Sequence, residues 1–412
     1  MAEALDHSTP PADSDIREAR RAVLAGFLGW MLDAFDFFLV VLCVTAIAKD
    51  LGTEIKYVTM SLTLTMAFRP VGAFIFGALA DRYGRRLPLM LDLVFYSIIE
   101  VLSGLAPNIT TFLILRALFG IGMGGEWGVG ASLAMEKVSP RWRGLLSGVL
   151  QEGYAVGNLL ASFCYFFIFP KYGWRVLFFI GGLPALLALF VRFGVKESKV
   201  WEQTRHQTWG GLGRAVLSNW KLFLFLVALM AMMNFSSHGT QDLYPTFLEK
   251  AHHMTPRPRA LLNAFTMVGA VSGGIVFGTL SDRIGRRRAI VIALVLGLAV
   301  VPLWAFGENI TTLWIGGFLI QFMVQGAWGV IPAHITELSP DSVRGFLPGF
   351  AYQCGVLIAG TAPYIQSRLT EEGHLPYANV MAVTALTVFA VTAIVAGLGT
   401  ERSGRTFGAT ET

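Results

Sequence analysis

GALADRYGRR, at residues 77–86, decides the fold, because the chain repeats it as GTLSDRIGRR at residues 278–287, 201 positions later. The same offset relates two further pairs of segments: NITTF at 108–112 with NITTL at 309–313, and Arg143-Gly144 with Arg344-Gly345. Three matches at one spacing indicate an internal duplication. The sequence therefore predicts two similar halves in parallel orientation.

The composition is that of an integral membrane protein. Of 412 residues, 54% are hydrophobic and only 14% are charged, and the mean hydropathy is +0.59. Continuous apolar runs, long enough to cross a hydrocarbon core of about 30 Å, favour helices over the alternating strands of a barrel. We expect an all-α membrane protein with twelve transmembrane helices in two pseudo-symmetric six-helix bundles. The predicted spans are 22–48, 57–80, 87–106, 110–135, 144–168, 173–193, 220–248, 258–280, 288–306, 310–335, 344–367 and 377–399.

The basic residues predict the topology. When the first and last three positions of each span are counted with the adjacent loop or tail, the N-terminal tail, the even-numbered loops and the C-terminal tail hold 22 of the 32 Lys and Arg residues, whereas the odd-numbered loops hold 8 and the spans 2. This bias predicts cytoplasmic termini in an inner (plasma) membrane, and it explains the net charge of +5 without a nucleic-acid partner. The predicted parts are an N-terminal tail 1–21, a first bundle 22–193, a cytoplasmic linker 194–219, a second bundle 220–399 and a C-terminal tail 400–412.

Charged residues inside the predicted spans are functional candidates, because an intramembrane charge costs a few kcal/mol or more. Arg69 lies twelve residues, about 18 Å, from the inner end of the second span, which is near the midplane. Its planar guanidinium matches a carboxylate. Asp33 and Asp36, on one face of the first helix, could pair with it at rest or carry a proton. A permanent structural ion pair is the open alternative.

Other charges inside the spans have different expectations. Arg116 is expected to pack helices or to relay protons, and Glu126 and Glu152 could also take part in a relay. Asp92 and Glu100 have no partner that the sequence predicts.

A polar stripe interrupts the seventh span. Asn234, His238, Gln241 and Asp242 fall within about 100° of a helical wheel. Lipid is excluded as their neighbour, because unpaired polar groups there cost several kcal/mol each. We expect the stripe to line a central aqueous cavity, where the His238–Asp242 pair could accept and release a proton. A histidine that only buttresses the helix remains the alternative.

The repeated loops predict a gate at the cytoplasmic ends of the helices. Asp81 and Asp282 can meet a neighbouring helix N-terminus or an arginine of the next loop. Such contacts would latch a rocking bundle in one conformation, although the loops could also serve only to fix topology. The expected network comprises Asp81, Arg85, Glu136, Arg143, Asp282, Arg286, Glu337 and Arg344.

These motifs resemble a known family. The G-x-x-x-D-R-x-G-R-R loops, each followed two helices later by a glutamate-to-Arg-Gly loop (EKVSPRWRG and ELSPDSVRG), resemble the major facilitator superfamily over essentially the whole chain. The stretch NFSSHGTQDLYPT at 234–246 is similar to the pattern N-x-x-[S/T]-H-x-[S/T]-Q-D-x-x-x-T of lactate/pyruvate permeases in the sialate:proton symporter group. The residues that match are Asn234, Ser237, His238, Thr240, Gln241, Asp242 and Thr246.

The resemblance implies proton-coupled import of a small monocarboxylate such as lactate or pyruvate. It implies a substrate site formed by Arg69 in AFRPVGA, the polar residues of the seventh helix and Gln353 in AYQCG. A small organic anion and a proton are then the partners, a monomer is expected to suffice, and no cofactor or metal is expected. Import of sialic acid or another organic or aromatic acid is the nearest alternative. A drug/proton antiporter, a sensor and an enzyme are weaker ones, because Arg69 argues against the first, no long signalling tail supports the second and no nucleophile supports the third.

Overall fold

The computed structural model describes residues 13–198, 201–202, 209–371 and 373–407, and within these ranges it contains helices and no strand. A helix satisfies its own backbone hydrogen bonds, which a segment inside lipid must do. The all-α prediction is confirmed. The α-helices are α1 (Asp13–Asp50), α2 (Ile55–Tyr83), α3 (Arg86–Gly104), α4 (Ile109–Lys137), α5 (Arg143–Gln151), α6 (Gly153–Ile180), α7 (Pro184–Gly194), α8 (Trp209–Ser218), α9 (Trp220–Gln241), α10 (Tyr244–Lys250), α11 (Pro256–Ile284), α12 (Arg286–Ala305), α13 (Ile310–Leu338), α14 (Leu347–Ala359), α15 (Ala362–Glu371) and α16 (Tyr377–Leu398).

Ten helical stretches of the described chain are long and apolar enough to cross a membrane. One of them, Pro140–Gly194, has 55 residues, which would measure about 80 Å as a single helix, far more than a bilayer. The helix is broken at Gly173, whose φ of 75° is not helical. The shorter helices α14 and α15 cover the eleventh predicted span. The 55-residue stretch covers two predicted spans, and α14 with α15 covers one more. The ten stretches and these two helices thus account for the twelve predicted spans.

The structure repeats at the spacing of the sequence repeat. α2 and α4 have the same lengths as α11 and α13, and their bounds differ by 201 positions. A Cβ on Gly72 would lie 1.6 Å from the carbonyl oxygen of Ile121, and one on Gly273 would lie 2.0 Å from that of Phe322. Only glycine allows these helices to approach so closely. The duplication therefore extends to helix packing.

Each half packs around its own apolar core. One core draws its buried residues from 22–195 and the other mainly from 226–396. Trp30 and Trp127 of the first half are buried in the second core, so the contact between halves is aromatic at this point.

The domain boundaries remain predictions. α1 begins at Asp13, inside the predicted tail 1–21, and α8 lies inside the predicted linker 194–219. Residues 1–12, 199–200, 203–208 and 408–412 of the predicted tails and linker lie outside the described residues.

Candidate substrate site

The two halves are joined at the end of the bundle that carries the repeated loops, here called the motif end. Asp81 accepts hydrogen bonds from the backbone amides of Gly345 and Phe346 at 2.8 and 3.0 Å. Asp282, its counterpart, accepts from the amides of residues 144–145 at 2.8 and 3.1 Å. Each aspartate thus ties its own half to the backbone of the other half.

Two buried glutamates extend this closure. Each binds one arginine of its own half and one arginine of the other half, and all of these side chains are at most 2% exposed. Removing one member of a buried ion pair typically costs about 3–5 kcal/mol, because the other charge is left without a partner. The four contacts are Arg143–Glu337 at 2.9 Å, Arg286–Glu337 at 3.0 Å, Arg85–Glu136 at 3.2 Å and Arg344–Glu136 at 3.6 Å. All eight residues of the expected gate therefore meet at the motif end, and their gating role remains a prediction.

The segment after α16 folds over this network. The ring of Phe407 lies 3.9 Å from the guanidinium carbon of Arg143 and 3.8 Å from that of Arg344. The backbone oxygen of Arg405 accepts a hydrogen bond from Arg143 at 2.9 Å. The same ring borders a cavity of about 570 Å³ at the motif end, which lies apart from Arg69. Phe407 thus contacts a charged residue of each half.

Arg69 is enclosed between the halves. Its backbone oxygen lies against Gly124 of α4, where a Cβ would approach it to 1.9 Å, and its side chain is buried. The guanidinium carbon is 5.9 Å from the centre of the Tyr352 ring on α14. Among the described residues, Arg69 forms no ion pair within 4 Å, and its Nε and Nη2 have no hydrogen-bond partner. These donors are available to an anion.

The expected resting pair between Arg69 and the first-helix aspartates is not formed as a contact. Asp33 is fully enclosed and close enough to Arg69 for their charges to interact, but its oxygens have no hydrogen-bond partner in the described chain. Asp36 is equally enclosed, and the arginine whose charge it feels is Arg116. The two aspartates thus interact with different arginines, although both also interact with Glu100.

Arg116 and Glu100 form a buried pair that the sequence did not predict. Their side chains approach to 2.5 Å, and Arg116 also donates to the hydroxyl of Ser103 at 2.6 Å. Three phenylalanine rings surround the guanidinium. The two residues are sixteen positions apart on different helices, so helical periodicity could not relate them. This geometry favours the packing role expected for Arg116.

The polar stripe of α9 divides between several partners. The amide of Asn234 donates to the carbonyl of Met230 at 2.8 Å, within its own helix. Gln241 donates to Gln321 of α13 at 2.8 Å. These two residues are thus held within the second half.

His238 and Asp242 lie at the more open part of the stripe. His238 Nδ1 and Asp242 Oδ2 are 3.0 Å apart, and their side chains are 22% and 35% exposed. His238 is also close enough to Arg69 for their charges to interact. The structure thus brings His238 towards Arg69.

Gln353 completes the predicted set. It is fully buried on α14, and its Nε2 donates to the carbonyl of Gly124 at 3.4 Å. Gly124 is the residue that packs against the backbone of Arg69. Gln353 therefore lies beside the α2–α4 contact that holds Arg69, and its Oε1 has no partner among the described residues.

The sequence did not predict an aromatic cluster that contacts Arg69 through Tyr352. Its five members come from both halves and are called here the aromatic cluster: Trp30, Trp127, Tyr154, Trp328 and Tyr352. The distances between ring centres are 4.5 Å for Trp127–Tyr352, 5.5 Å for Trp30–Tyr154, 5.8 Å for Trp328–Tyr352, 6.2 Å for Trp30–Tyr352 and 6.3 Å for Trp30–Trp127. A signal was present, because Trp127 and Trp328 are related by the 201-residue offset.

Two packed helical halves related by an internal repeat are the architecture of many secondary transporters, whose substrate sites lie between the halves. The chain belongs to the Major Facilitator Superfamily, whose model matches residues 26–274 and 243–410. It is therefore a multi-pass membrane transporter and not an enzyme.

Individual relatives agree with this family. The chain is 28% identical to a carboxylic acid transporter protein homolog of Saccharomyces cerevisiae, over 92% of this chain and 68% of the relative. It is 29% identical to the sialic acid transporter NanX of Escherichia coli, over 85% and 87%. The solved structure of the proton:xylose symporter XylE superimposes with a TM-score of 0.75 and 17% identity, covering 96% of this chain and 98% of that one. This last likeness concerns the fold.

Proposed function

We propose that this protein is a proton-coupled symporter that imports a small organic acid anion by alternating access. The observation that carries the proposal is Arg69, a buried guanidinium between the halves whose Nε and Nη2 have no partner among the described residues. A fixed buried cation of this kind favours a carboxylate, which its planar fork can bind through two hydrogen bonds. Two relatives whose names specify carboxylic acid and sialic acid support this substrate class.

Charge balance explains why a proton accompanies the anion. An anion alone would add a charge to a low-dielectric centre, whereas an anion with a proton adds none, so the fully loaded protein can close more easily. Import of the anion alone would also oppose the membrane potential, at about 2.3 kcal/mol per 100 mV. Asp33 with Asp36, or His238 with Asp242, would take the proton.

The residues around Arg69 have distinct roles in this proposal. Gln353 lies beside the same helix contact and would hydrogen-bond the substrate, as would His238. Asn234 and Gln241 would join when the bundle rearranges, since each now bonds to its own half. The closed motif end would be cytoplasmic, so the substrate would enter from outside in this state.

The pattern of the seventh helix favours lactate or pyruvate as the acid. A second candidate, a larger or aromatic acid, is favoured by the aromatic cluster, whose rings are big for a three-carbon substrate. The test is uptake of labelled lactate, pyruvate and sialic acid into proteoliposomes under an imposed pH gradient. Accumulation of at least one acid above its external concentration supports the proposal. Equilibration without accumulation, at every pH gradient, contradicts proton coupling.

A further inference from the structure

Two tryptophans of the aromatic cluster have enclosed donors without a partner. Trp30 and Trp328 are 1% and 3% exposed, and within the described chain their Nε1 atoms have no hydrogen-bond partner. Trp127, in the same cluster, differs because its Nε1 donates to the Oε1 of Gln151 at 3.3 Å. The indole N–H can only donate, and a buried donor usually has an acceptor. Trp30 and Trp328 thus lack the acceptor that Trp127 has.

Both of these indoles contact the ring that Arg69 contacts. Tyr352 lies 6.2 Å from Trp30 and 5.8 Å from Trp328 between ring centres, and 5.9 Å from the guanidinium carbon of Arg69. The guanidinium of Arg69 and the indole rings of Trp30 and Trp328 therefore all lie against one tyrosine ring. These contacts place both indole rings within about 12 Å of the guanidinium carbon, so a ligand anchored on Arg69 would extend along Tyr352 to reach an indole.

The cluster also straddles the two halves. Trp30 belongs to α1 of the first half, and Trp328 and Tyr352 belong to α13 and α14 of the second. A ligand bound here would touch both halves at once, which is what allows substrate binding to favour one conformation over another. Flat π-systems pack well against such rings.

We infer that the site takes a planar carboxylate with a second hydrogen-bond acceptor on the side of the molecule away from the carboxylate, and that Trp30 or Trp328 donates to this acceptor. The inference rests on the proposed function, because it assigns the carboxylate to Arg69. It deepens that function by naming the substrate class as ring-bearing or conjugated acids. Lactate, with three carbons and no planar π-system beyond its carboxylate, satisfies Arg69 alone.

Nicotinate and benzoate form a matched pair of probes, since they share one shape and only nicotinate has a ring nitrogen that accepts a hydrogen bond. Labelled nicotinate, benzoate and lactate are offered to wild-type proteoliposomes under the same pH gradient. We expect kcat/KM to be about three- to tenfold higher for nicotinate than for benzoate, the range for one net neutral hydrogen bond. This comparison needs no variant and so does not depend on the folding of a mutant.

Substitutions then locate the donor. Trp30→Phe and Trp328→Phe keep an aromatic ring and remove the N–H, so we expect at least one of them to bring the nicotinate-to-benzoate ratio close to one. Trp304→Phe is the control, because Trp304 is also buried with an Nε1 that has no partner in the described chain, but it packs against Tyr244 in the second half. This control should keep the wild-type ratio.

Four results would overturn the inference. Lactate carried better than both ring acids would reject the planar substrate while leaving the proposed function intact. A wild-type ratio near one, or a ratio unchanged in both tryptophan variants, would reject the indole donors and likewise leave the proposed function intact. If the wild-type protein accumulated none of nicotinate, benzoate, lactate, pyruvate and sialic acid, both the proposed function and the inference would be rejected.

Discussion

The two halves of the molecule are alike at the motif end and unlike in the membrane interior. At the motif end the four charged residues that each half contributes to the closure are identical at the 201-residue offset: Asp81 and Asp282, Arg85 and Arg286, Glu136 and Glu337, Arg143 and Arg344. In the interior, eight buried charges of the first half correspond to neutral residues of the second: Asp33 to Asn234, Asp36 to Ser237, Arg69 to Ala270, Asp92 to Ala293, Glu100 to Val301, Arg116 to Gly317, Glu126 to Ala327 and Glu152 to Gln353.

This difference separates two requirements of a rocking transporter. A closure that must form and break between two halves can be built from the same charges on both sides, and the paired aspartates show that arrangement. A site that binds one anion needs one fixed cation, and a duplicated Arg69 would add a second charge to be neutralised. The closure is thus the same in both halves, whereas these buried interior charges belong to the first half alone.

The largest expected effect comes from removing the interior cation. We expect Arg69→Ala to lower kcat/KM for uptake by about a hundredfold or more, because charged hydrogen bonds contribute about 1.5–3 kcal/mol each. The variant should still reach the membrane, since among described residues Arg69 has no ion-pair partner within 4 Å. Arg69→Lys is the matched control and should retain part of the activity, because it keeps the charge without the planar fork. Wild-type uptake by Arg69→Ala would exclude Arg69 as the anchor.

Asp33→Asn makes the halves alike at one interior position, since Asn234 is the counterpart of Asp33. If Asp33 carries the proton, pH-driven accumulation should fall by about tenfold or more, the effect of losing a proton acceptor. Counterflow exchange, which needs no net proton movement, should persist.

His238→Gln is the comparison for Asp33→Asn, because the His238–Asp242 pair is the other candidate and is more exposed than Asp33. We expect the larger loss at Asp33. The same assays of accumulation and exchange decide between the two sites. If pH-driven accumulation is unchanged in both variants, neither Asp33 nor His238 is the residue that takes the proton.

The symmetry of the closure can be measured as a pair of double-mutant cycles. We expect Arg143→Ala and Glu337→Ala to couple by about 1–3 kcal/mol in the free energy of unfolding, as contacting charges do. Arg344→Ala and Glu136→Ala should couple less, because their atoms are 3.6 Å apart rather than 2.9 Å. Reversible unfolding in detergent measures both cycles. Additive effects in the first cycle would show that this ion pair does not hold the halves together.

The smallest expected effect concerns Phe407, which breaks the symmetry of the closure because one ring serves both halves. Phe407→Leu should lower the free energy of unfolding by about 1–2 kcal/mol, since a cation–π contact contributes about 0.5–1 kcal/mol at an exposed site and more when desolvated. Phe306→Leu, at a half-exposed aromatic beyond α12, is the control and should change it less. Equal effects would mean that the contacts with Arg143 and Arg344 are not stabilising.

The sequence was most informative where a pattern repeats. The offset of GALADRYGRR and GTLSDRIGRR predicted the halves and their closure, because a duplicated segment keeps its packing partners. The apolar runs predicted the spans. They did not predict that a helix would break at Gly173 or that the eleventh span would consist of two short helices, α14 and α15.

Contacts between distant residues were less predictable. Glu100 and Arg116 lie on different helices, so no spacing on one helix relates them. The stripe of α9 gave the direction of Asn234 and Gln241 but not their partners Met230 and Gln321. Aromatic residues are common in apolar spans, so the grouping of five rings, one of which contacts Arg69, required the tertiary structure.

The most direct test of anion binding by Arg69 with a compensating proton is the accumulation of a transported acid at fixed pH gradients, with the membrane voltage set independently. With one proton for each anion, we expect about tenfold accumulation per pH unit and no dependence on voltage, because a factor of ten corresponds to about 1.4 kcal/mol. Accumulation that follows the voltage, or that persists without a pH gradient, would contradict electroneutral coupling.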